Sequence, residues 1–218
     1  QFSFVRLSAA VPGAPTAEVS VTTTGSAGSA PTTPAKYQTP CSQGYYKASV
    51  GAGDCAAVSA GNRGEDVSGN YASSGAVKQT PCVGGRYSAN GAGDCLPCPD
   101  GSYAAGAGNA ACADVPDGNR GVTTAGGSTH ASSGAVDSQP CPNGSYSANG
   151  TGDCVDVPAG HRGVSAINGS TYASSGAVGI QPCPNGSYSA TGTDDCVDVA
   201  DGRMGTIAGS YASSAATS

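Results

Sequence analysis

Large apolar side chains are scarce in this chain of 218 residues. Leu, Ile, Val and Phe together number 25, about 11% of the chain, and Trp is absent. So little apolar surface cannot offset the conformational entropy that is lost on folding in the usual way. The scarcity excludes an enzyme-sized helical or α/β domain that is held by a conventional hydrophobic core.

Charge is scarce as well. Asp, Glu, Lys and Arg make up 11% of the chain, and the net charge is -6. Scattered Lys and Arg on an acidic chain argue against nucleic acid as a partner. No apolar run approaches the ~18 residues of a membrane span. We therefore expect neither nucleic-acid binding nor membrane insertion.

The chain does contain ten cysteines, in pairs 13 or 14 positions apart. An even number of cysteines in a loop-rich chain points to an oxidising compartment, so we expect an extracellular protein, secreted or on the cell surface. A disulfide that closes a loop of ~14 residues stabilises by about 3 kcal/mol, which offsets part of the missing core. Spacing alone leaves other connectivities open. The nearest-neighbour pairs that it predicts are Cys41–Cys55, Cys82–Cys95, Cys98–Cys112, Cys141–Cys154 and Cys183–Cys196.

The cysteine pairs belong to an internal repeat. Most pairs read Pro-Cys-x-x-Gly-x-Tyr and close on Asp-Cys, and a cysteine-free half-unit that begins Gly-Asn-Arg-Gly follows most of them. Two half-units give a period of about 42 residues, although one cysteine-free half is missing between Cys82 and Cys98. Such a period is typical of a solenoid or a rod.

Each half-unit reads as a short β-hairpin. Its glycines permit positive φ in tight turns, and Val155-Asp156-Val157 alternates as a half-buried strand does. Nothing sustains helical periodicity. The sequence thus predicts an all-β, elongated, disulfide-stapled rod of irregular hairpins with almost no helix. A Gly-x-Tyr core shared by both half-units predicts one stacked ring in each, with His130 replacing it once. The tyrosines are Tyr46, Tyr71, Tyr87, Tyr103, Tyr146, Tyr172, Tyr188 and Tyr211.

Residues 1–40 lie outside the tandem repeat of residues 41–218 and form a second region. One interpretation is a frayed terminus followed by a Ser/Thr/Pro-rich linker. The other is an assembly arm whose extended strand adds to the next subunit. The chain stops inside a half-unit, at 211–215, without a polar cap; head-to-tail contact with another copy would explain this, as would a cut from a longer tandem chain. The apolar residues of the arm are Phe2, Phe4, Val5, Leu7, Val19 and Val21.

Four Asn-x-Ser/Thr sequons are candidates for N-glycosylation, and the tract 22–40 is a candidate for O-glycans. The alternative for each sequon is a plain turn residue. Covalent glycans would shield a thin core and its strand edges. The four candidate residues are Asn143, Asn149, Asn168 and Asn185.

Metal and catalytic chemistry find little support, so we expect no cofactor and no enzyme activity. Recurring Asp residues before the second cysteine could suggest calcium, but turn formation is the favoured interpretation. Zinc at Cys95-x-x-Cys98 competes with the disulfide partners. The histidines, His130 and His161, form no catalytic arrangement with Ser, Cys or Asp in the sequence. The recurring arginines are expected to pair with nearby Asp or to cap carbonyls: Arg63, Arg120 and Arg162.

The cysteine half-units resemble the ephrin-receptor-like cysteine-rich repeats, most clearly from Cys95 to Tyr103, where two units stand in direct tandem. These repeats abound in surface proteins of algae and protists and are distantly similar to tumour-necrosis-factor-receptor modules. The resemblance implies an extracellular module. The cysteine-free half-unit departs from it, and the regularity of the chain is similar to that of fibrous proteins such as flagellar hairs.

We therefore expect a structural, non-catalytic subunit of an extracellular glycosylated filament or surface matrix. Copies would assemble head-to-tail through the N-terminal arm, so that the chain's main partner is itself. The alternative is a ligand-binding fragment of a receptor or adhesin stalk ectodomain. A binding module should carry a patch of aromatic or charged residues that the repeat does not reproduce.

Overall fold

A computed structural model describes residues 39–49, 53–211, 214 and 216–217. The chain divides into two units, Gln1–Pro40 and Cys41–Ser218, and the description below concerns the second. The six apolar residues predicted to form an assembly arm lie outside the described residues, so that hypothesis stays a prediction.

The described residues form an all-β fold without helix, as the sequence predicts. They contain nine antiparallel hairpins, each a sheet of two short strands. The hairpins are, in chain order, β1 (Tyr45–Tyr46) with β2 (Ala56–Ala57), β3 (Asn62–Glu65) with β4 (Lys78–Pro81), β5 (Arg86–Tyr87) with β6 (Leu96–Pro97), β7 (Ser102–Tyr103) with β8 (Ala113–Asp114), β9 (Asn119–Val122) with β10 (Asp137–Pro140), β11 (Ser145–Tyr146) with β12 (Val155–Asp156), β13 (His161–Val164) with β14 (Gly179–Pro182), β15 (Ser187–Tyr188) with β16 (Val197–Asp198), and β17 (Thr206–Ile207) with β18 (Ser210–Tyr211).

Five of these hairpins carry a disulfide and are called the first to fifth cysteine hairpins: β1–β2, β5–β6, β7–β8, β11–β12 and β15–β16. The first cysteine of each pair precedes the turn that leads into the first strand, and the second directly precedes the second strand. Their Cα atoms are 5.5 to 5.8 Å apart. The ten cysteines are all bonded in the pairs that loop spacing predicts.

The other four hairpins are called the first to fourth cysteine-free hairpins: β3–β4, β9–β10, β13–β14 and β17–β18. The strands of the first three are longer and pair over four residues, as where Gly121 faces Ser138. A loop between their strands folds back, so that Tyr172 bridges to Val164 and His130 bridges to Val122.

The core is thinner than stacked tyrosine rings would make it. The fully buried side chains are small, chiefly cystine sulfurs, alanines and valines such as Val122 and Val164, which are 0% exposed. The rings of Tyr46, Tyr87 and Tyr146 are only half-buried. Disulfides and backbone hydrogen bonds therefore replace side-chain burial more fully than the composition suggests.

The prediction of one tyrosine slot shared by both half-units is wrong. Gly118 and Gly144 occupy equivalent turns, because each accepts a hydrogen bond from the residue that follows the second strand of its hairpin. Arg120, two residues after Gly118, therefore stands where Tyr146 stands in a cysteine hairpin. Tyr172 belongs instead to the folded-back loop. The Gly-x-Tyr pattern serves two different structural positions.

Candidate functional site: the interface between successive hairpins

Each hairpin binds the next along the chain through its backbone. The N–H of turn residue Gly118 donates to the carbonyl of Ser147 at 2.7 Å, and Ser147 N–H donates to Ala177 O at 3.0 Å. Tyr146 forms a parallel bridge with Ala177 in the same place. Equivalent bonds recur from the first cysteine hairpin to the last. Since these bonds use main-chain atoms, the interface tolerates changes of sequence at most side chains.

Hairpins two places apart also meet, through a contact that we call a socket. A socket consists of a turn glycine and the carbonyl of the residue after the second strand, and the loop of a later hairpin fills it. In the third cysteine hairpin these are Gly101 and Val115, and the filling loop is Gly150–Thr151 of the fourth. Gly150 is buried, and a Cβ built on it would overlap the Val115 carbonyl.

The socket recurs with the same chemistry. Gly91 packs on Val58 and Gly192 packs on Val157, again without room for a Cβ. The serine three residues before each loop glycine is buried, and its hydroxyl accepts the glycine N–H at 3.0 to 3.2 Å. Ser-x-x-Gly is thus the signature of a loop that fills a socket. These serines are Ser88, Ser147 and Ser189.

An ion pair crosses three of the interfaces. Arg120 donates to Asp153 at 2.5 Å, and its other terminal nitrogen donates to the Ser128 carbonyl. The carboxylate of Asp153 also accepts the N–H of Cys154 at 2.7 Å, which shapes the turn. The predicted roles of the recurring Arg and Asp are both present. The three pairs are Arg63–Asp94, Arg120–Asp153 and Arg162–Asp195.

These contacts lower the pKa of two aspartates. Burial raises the pKa of Asp153 and of Asp195, but hydrogen bonds from the arginine and from the following cysteine N–H outweigh it, so each pKa lies below its ordinary value. Glu65 in the first cysteine-free hairpin has a lowered pKa, chiefly because Lys78 bonds it at 3.1 Å. The interface therefore favours ionised carboxylates.

We expect the substitution Asp153→Asn to flatten the acid limb of the stability profile. Because the pKa of Asp153 is lower in the folded than in the unfolded chain, its ionised carboxylate stabilises the folded state at pH values above the unfolded pKa of ~3.9. This stabilisation is lost as the pH falls through the folded-state pKa. The variant should be less stable than the parent at pH 7 and approach it near pH 2. Urea denaturation across this range measures the effect. Asp156→Asn is the control, because Asp156 is exposed and has no ion pair within the described ranges. Equal profiles for Asp153→Asn and the parent would contradict the assignment.

Hydrogen bonds from tyrosine hydroxyls, a polar relay, close the outside of the socket, and no sequence pattern predicts them. Tyr172 donates to the Thr193 carbonyl at 2.9 Å and lies 3.2 Å from Asn143 Oδ1. Tyr71 links Gln43 and Ala92 in the same way. Each folded-back loop therefore latches two successive cysteine hairpins.

One position departs from this relay. His130 replaces the tyrosine, and its Nε2 lies 3.5 Å from Asp100 Oδ1. A recess of about 640 Å³ opens beside it, lined by the carboxylates of Asp100, Asp114 and Asp117 among other groups. The recess presents acceptors to solvent, so it suits a cation or a hydrogen-bond donor. Within the described ranges, no group of three or more His, Cys, Asp or Glu is placed to hold a metal ion.

Comparison with known proteins bears on the same region. Residues 85–134 match the model of the family described as tyrosine-protein kinase ephrin type A/B receptor-like. The match runs from the turn of the second cysteine hairpin into the second cysteine-free hairpin. With the five disulfides, it decides the class of this molecule. The chain is a cysteine-rich repeat protein. A search of curated proteins finds no match to it.

The four sequons of this cysteine-rich repeat protein lie at its surface, and each asparagine side chain is exposed. Asn149 accepts hydrogen bonds from the N–H and the hydroxyl of Thr151, and Asn168 has a φ of 62°, so both are turn residues. The hydroxyls of Ser145 and Ser187, which complete two sequons, are turned inward to proline carbonyls. Since Ser145 and Ser187 are buried, only the sequons of Asn149 and Asn168 are exposed at both ends in the folded chain, and occupancy at all four stays a prediction. Among the described residues no helix could cross a membrane.

Proposed function

We propose that this cysteine-rich repeat protein is a structural, non-catalytic subunit of an extracellular filament or surface matrix. The observation that carries the proposal is the uniform interface between hairpins, which repeats one set of backbone bonds and sockets along the chain. An interface that can be repeated within a chain can be repeated between chains, and a head-to-tail contact that does not close builds a filament.

The extracellular location in this proposal rests on the cysteines. All ten are in disulfides, which persist in oxidising compartments and are reduced in the cytosol. The match to an ephrin-receptor-like model over residues 85–134 agrees with an extracellular module. Four sequons whose asparagines are exposed fit a glycosylated surface. In this proposal the N-terminal arm, residues 1–40, extends from one subunit to the next.

Electron microscopy of the purified, oxidised 218-residue chain tests the proposal. Filaments with a uniform width are expected at high protein concentration. The arm is tested by the double substitution Phe2→Ser and Phe4→Ser, which should shorten or abolish the filaments; Val67→Ser, at an exposed side chain in the repeat, is the control. Discrete monomers of the parent at every concentration would overturn the proposal.

N-glycosylation is tested separately, by mass. When a eukaryotic host secretes the chain, treatment with peptide-N-glycosidase should lower its mass, and the Asn149→Gln variant should lose one glycan. The control is Asn90→Gln, since Asn90-Gly91-Ala92 occupies the same loop position without a sequon. An unchanged mass after glycosidase treatment would remove glycans from the proposal.

A ligand-binding ectodomain is the second candidate, and one observation favours it. The recess beside His130 brings together Asp100, Asp114 and Asp117, a set of carboxylates that the other described cysteine hairpins do not carry, and the matching family is described as receptor-like. In this case Asp114→Asn and Asp117→Asn would weaken the binding of a cationic ligand while filaments would be absent. Filaments that form unchanged in both variants favour the structural proposal.

A further inference from the structure

Five Asn-Gly pairs occur in the chain, and the structure places them in two different environments. In such a pair the backbone nitrogen of the glycine can attack Cγ of the asparagine side chain, because glycine has no Cβ to shield that nitrogen and leaves the backbone free to rotate. The reaction needs a glycine N–H that is not held in a hydrogen bond. The five asparagines are Asn90, Asn143, Asn149, Asn168 and Asn185.

Three of the five glycines have their N–H groups engaged. Gly91 and Gly150 each donate to a buried serine hydroxyl at 3.2 Å, and both glycines are themselves buried in sockets. Gly169 donates to the Ala166 carbonyl at 2.8 Å. At these three pairs, attack on the asparagine requires that a hydrogen bond first breaks.

The other two pairs, Asn143-Gly144 and Asn185-Gly186, lie in the turns of the fourth and fifth cysteine hairpins. Within the described part of the chain, neither glycine N–H donates a hydrogen bond, and both asparagine side chains are exposed. Tyr172 contacts Oδ1 of Asn143 and not the glycine amide. These two glycine nitrogens are therefore available for attack.

The third cysteine hairpin shows how close the reacting groups lie in this turn. Asp100 stands where the fourth hairpin carries Asn143, and its Oδ1 atom accepts the backbone N–H of Gly101 at 2.9 Å. A side chain of this length therefore folds back onto the next amide. The same residue shows that the turn accommodates an aspartate.

We propose that Asn143 and Asn185 are sites of spontaneous deamidation in the folded chain, and that the other three asparagines are protected. The glycine nitrogen forms a bond to Cγ, the Cγ–Nδ2 bond breaks, and ammonia leaves with the proton that the glycine nitrogen loses. Water then opens the succinimide ring at one of its two carbonyls and leaves aspartate or isoaspartate. Each event adds a negative charge to the turn.

The four sequons divide in the same way. Those of Asn143 and Asn185 end in buried serines, whereas those of Asn149 and Asn168 are exposed at both ends. The asparagines that a glycan reaches least easily in the folded chain are thus the ones open to deamidation, which also removes the sequon. This modification does not depend on filament formation.

Mass spectrometry of the oxidised 218-residue chain, produced without N-glycans, tests the assignment. After incubation in mildly alkaline buffer, proteolytic peptides are scored for the mass difference between an amide and an acid. Asn143 and Asn185 should deamidate about tenfold faster than Asn90, Asn149 and Asn168, because an ordinary hydrogen bond must break at the latter three. In the reduced chain in urea all five should react at similar rates, since each is then an unconstrained Asn-Gly pair.

Two substitutions transplant the pair into the two environments. Asp100→Asn creates an Asn-Gly pair in the turn of the third cysteine hairpin and should react as fast as the two native turn sites. Thr191→Asn creates one where Gly192 is buried and donates to Ser189 at 3.0 Å, and should react slowly. Equal rates at the two new sites in the folded chain would overturn the proposal, as would the same ranking of the five native sites in urea or the absence of reaction at both native turn sites.

Discussion

Replacing Cys141 and Cys154 with serine is expected to lower the free energy of unfolding by about 3 kcal/mol. The disulfide closes a loop across 13 positions, and its removal frees that loop in the unfolded chain. Cys141 is 0% exposed, so one hydroxyl would also be placed in an apolar site. Circular dichroism during urea denaturation measures the change.

The loss should extend to the flanking hairpins, because hairpins in a repeat array stabilise one another through their interfaces. Ala148→Ser is the control, since Ala148 lies in the same loop and is exposed; it should leave unfolding unchanged. A double serine variant as stable as the parent would contradict the account in which disulfides replace the core.

Substitution of Gly150 by alanine is expected to destabilise the chain by about 3 kcal/mol. Part of this, about 1 to 2 kcal/mol, is the cost of a side chain at positive φ, which is 70° here. The rest comes from overlap of the new Cβ with the Val115 carbonyl, which forces the loop out of its socket. Urea denaturation again provides the measurement.

Gly152→Ala separates the two causes. Gly152 has a φ of 74° in the same loop, but no atom of the described residues lies within 4 Å of a Cβ built there. It should therefore show the backbone strain alone and be more stable than Gly150→Ala by about 1 to 2 kcal/mol. Equal stabilities of the two variants would mean that the socket contributes little.

The spacing of residues along the chain is enough to predict much of the fold. The hairpins and the cystine pairs follow from residues within one ~20-residue half-unit, as with Cys141 and Cys154, so the sequence predicts them. The Arg120–Asp153 pair spans 33 positions, yet its recurrence in step with the repeat makes it predictable too. These features depend on neighbours along the chain or on a regular period.

The sockets and the tyrosine positions depend instead on how hairpins stack. Tyr146 and Tyr172 share a sequence pattern, but one lies on a strand and the other in a folded-back loop. The cysteine-free half-unit that is missing between Cys82 and Cys98 shows the same limit of prediction from sequence. The turn of Gly61 packs on Gly108 of a cysteine hairpin, and the turn of Gly85 packs on Gly134 of a cysteine-free one. Stacking therefore continues past the break in the sequence pattern, because it uses turn backbone that both kinds of hairpin share.

The glycine amides at the interface offer the most direct test of the central claim, that backbone bonds between successive hairpins hold this protein together. The N–H groups of Gly61, Gly85, Gly118 and Gly160 each donate to the next hairpin at 2.7 to 2.8 Å. Hydrogen exchange of the oxidised chain, resolved by nuclear magnetic resonance, should show these four protons protected as strongly as those within the hairpins. Exchange at the rate of an unfolded chain, with the disulfides intact, would contradict the claim.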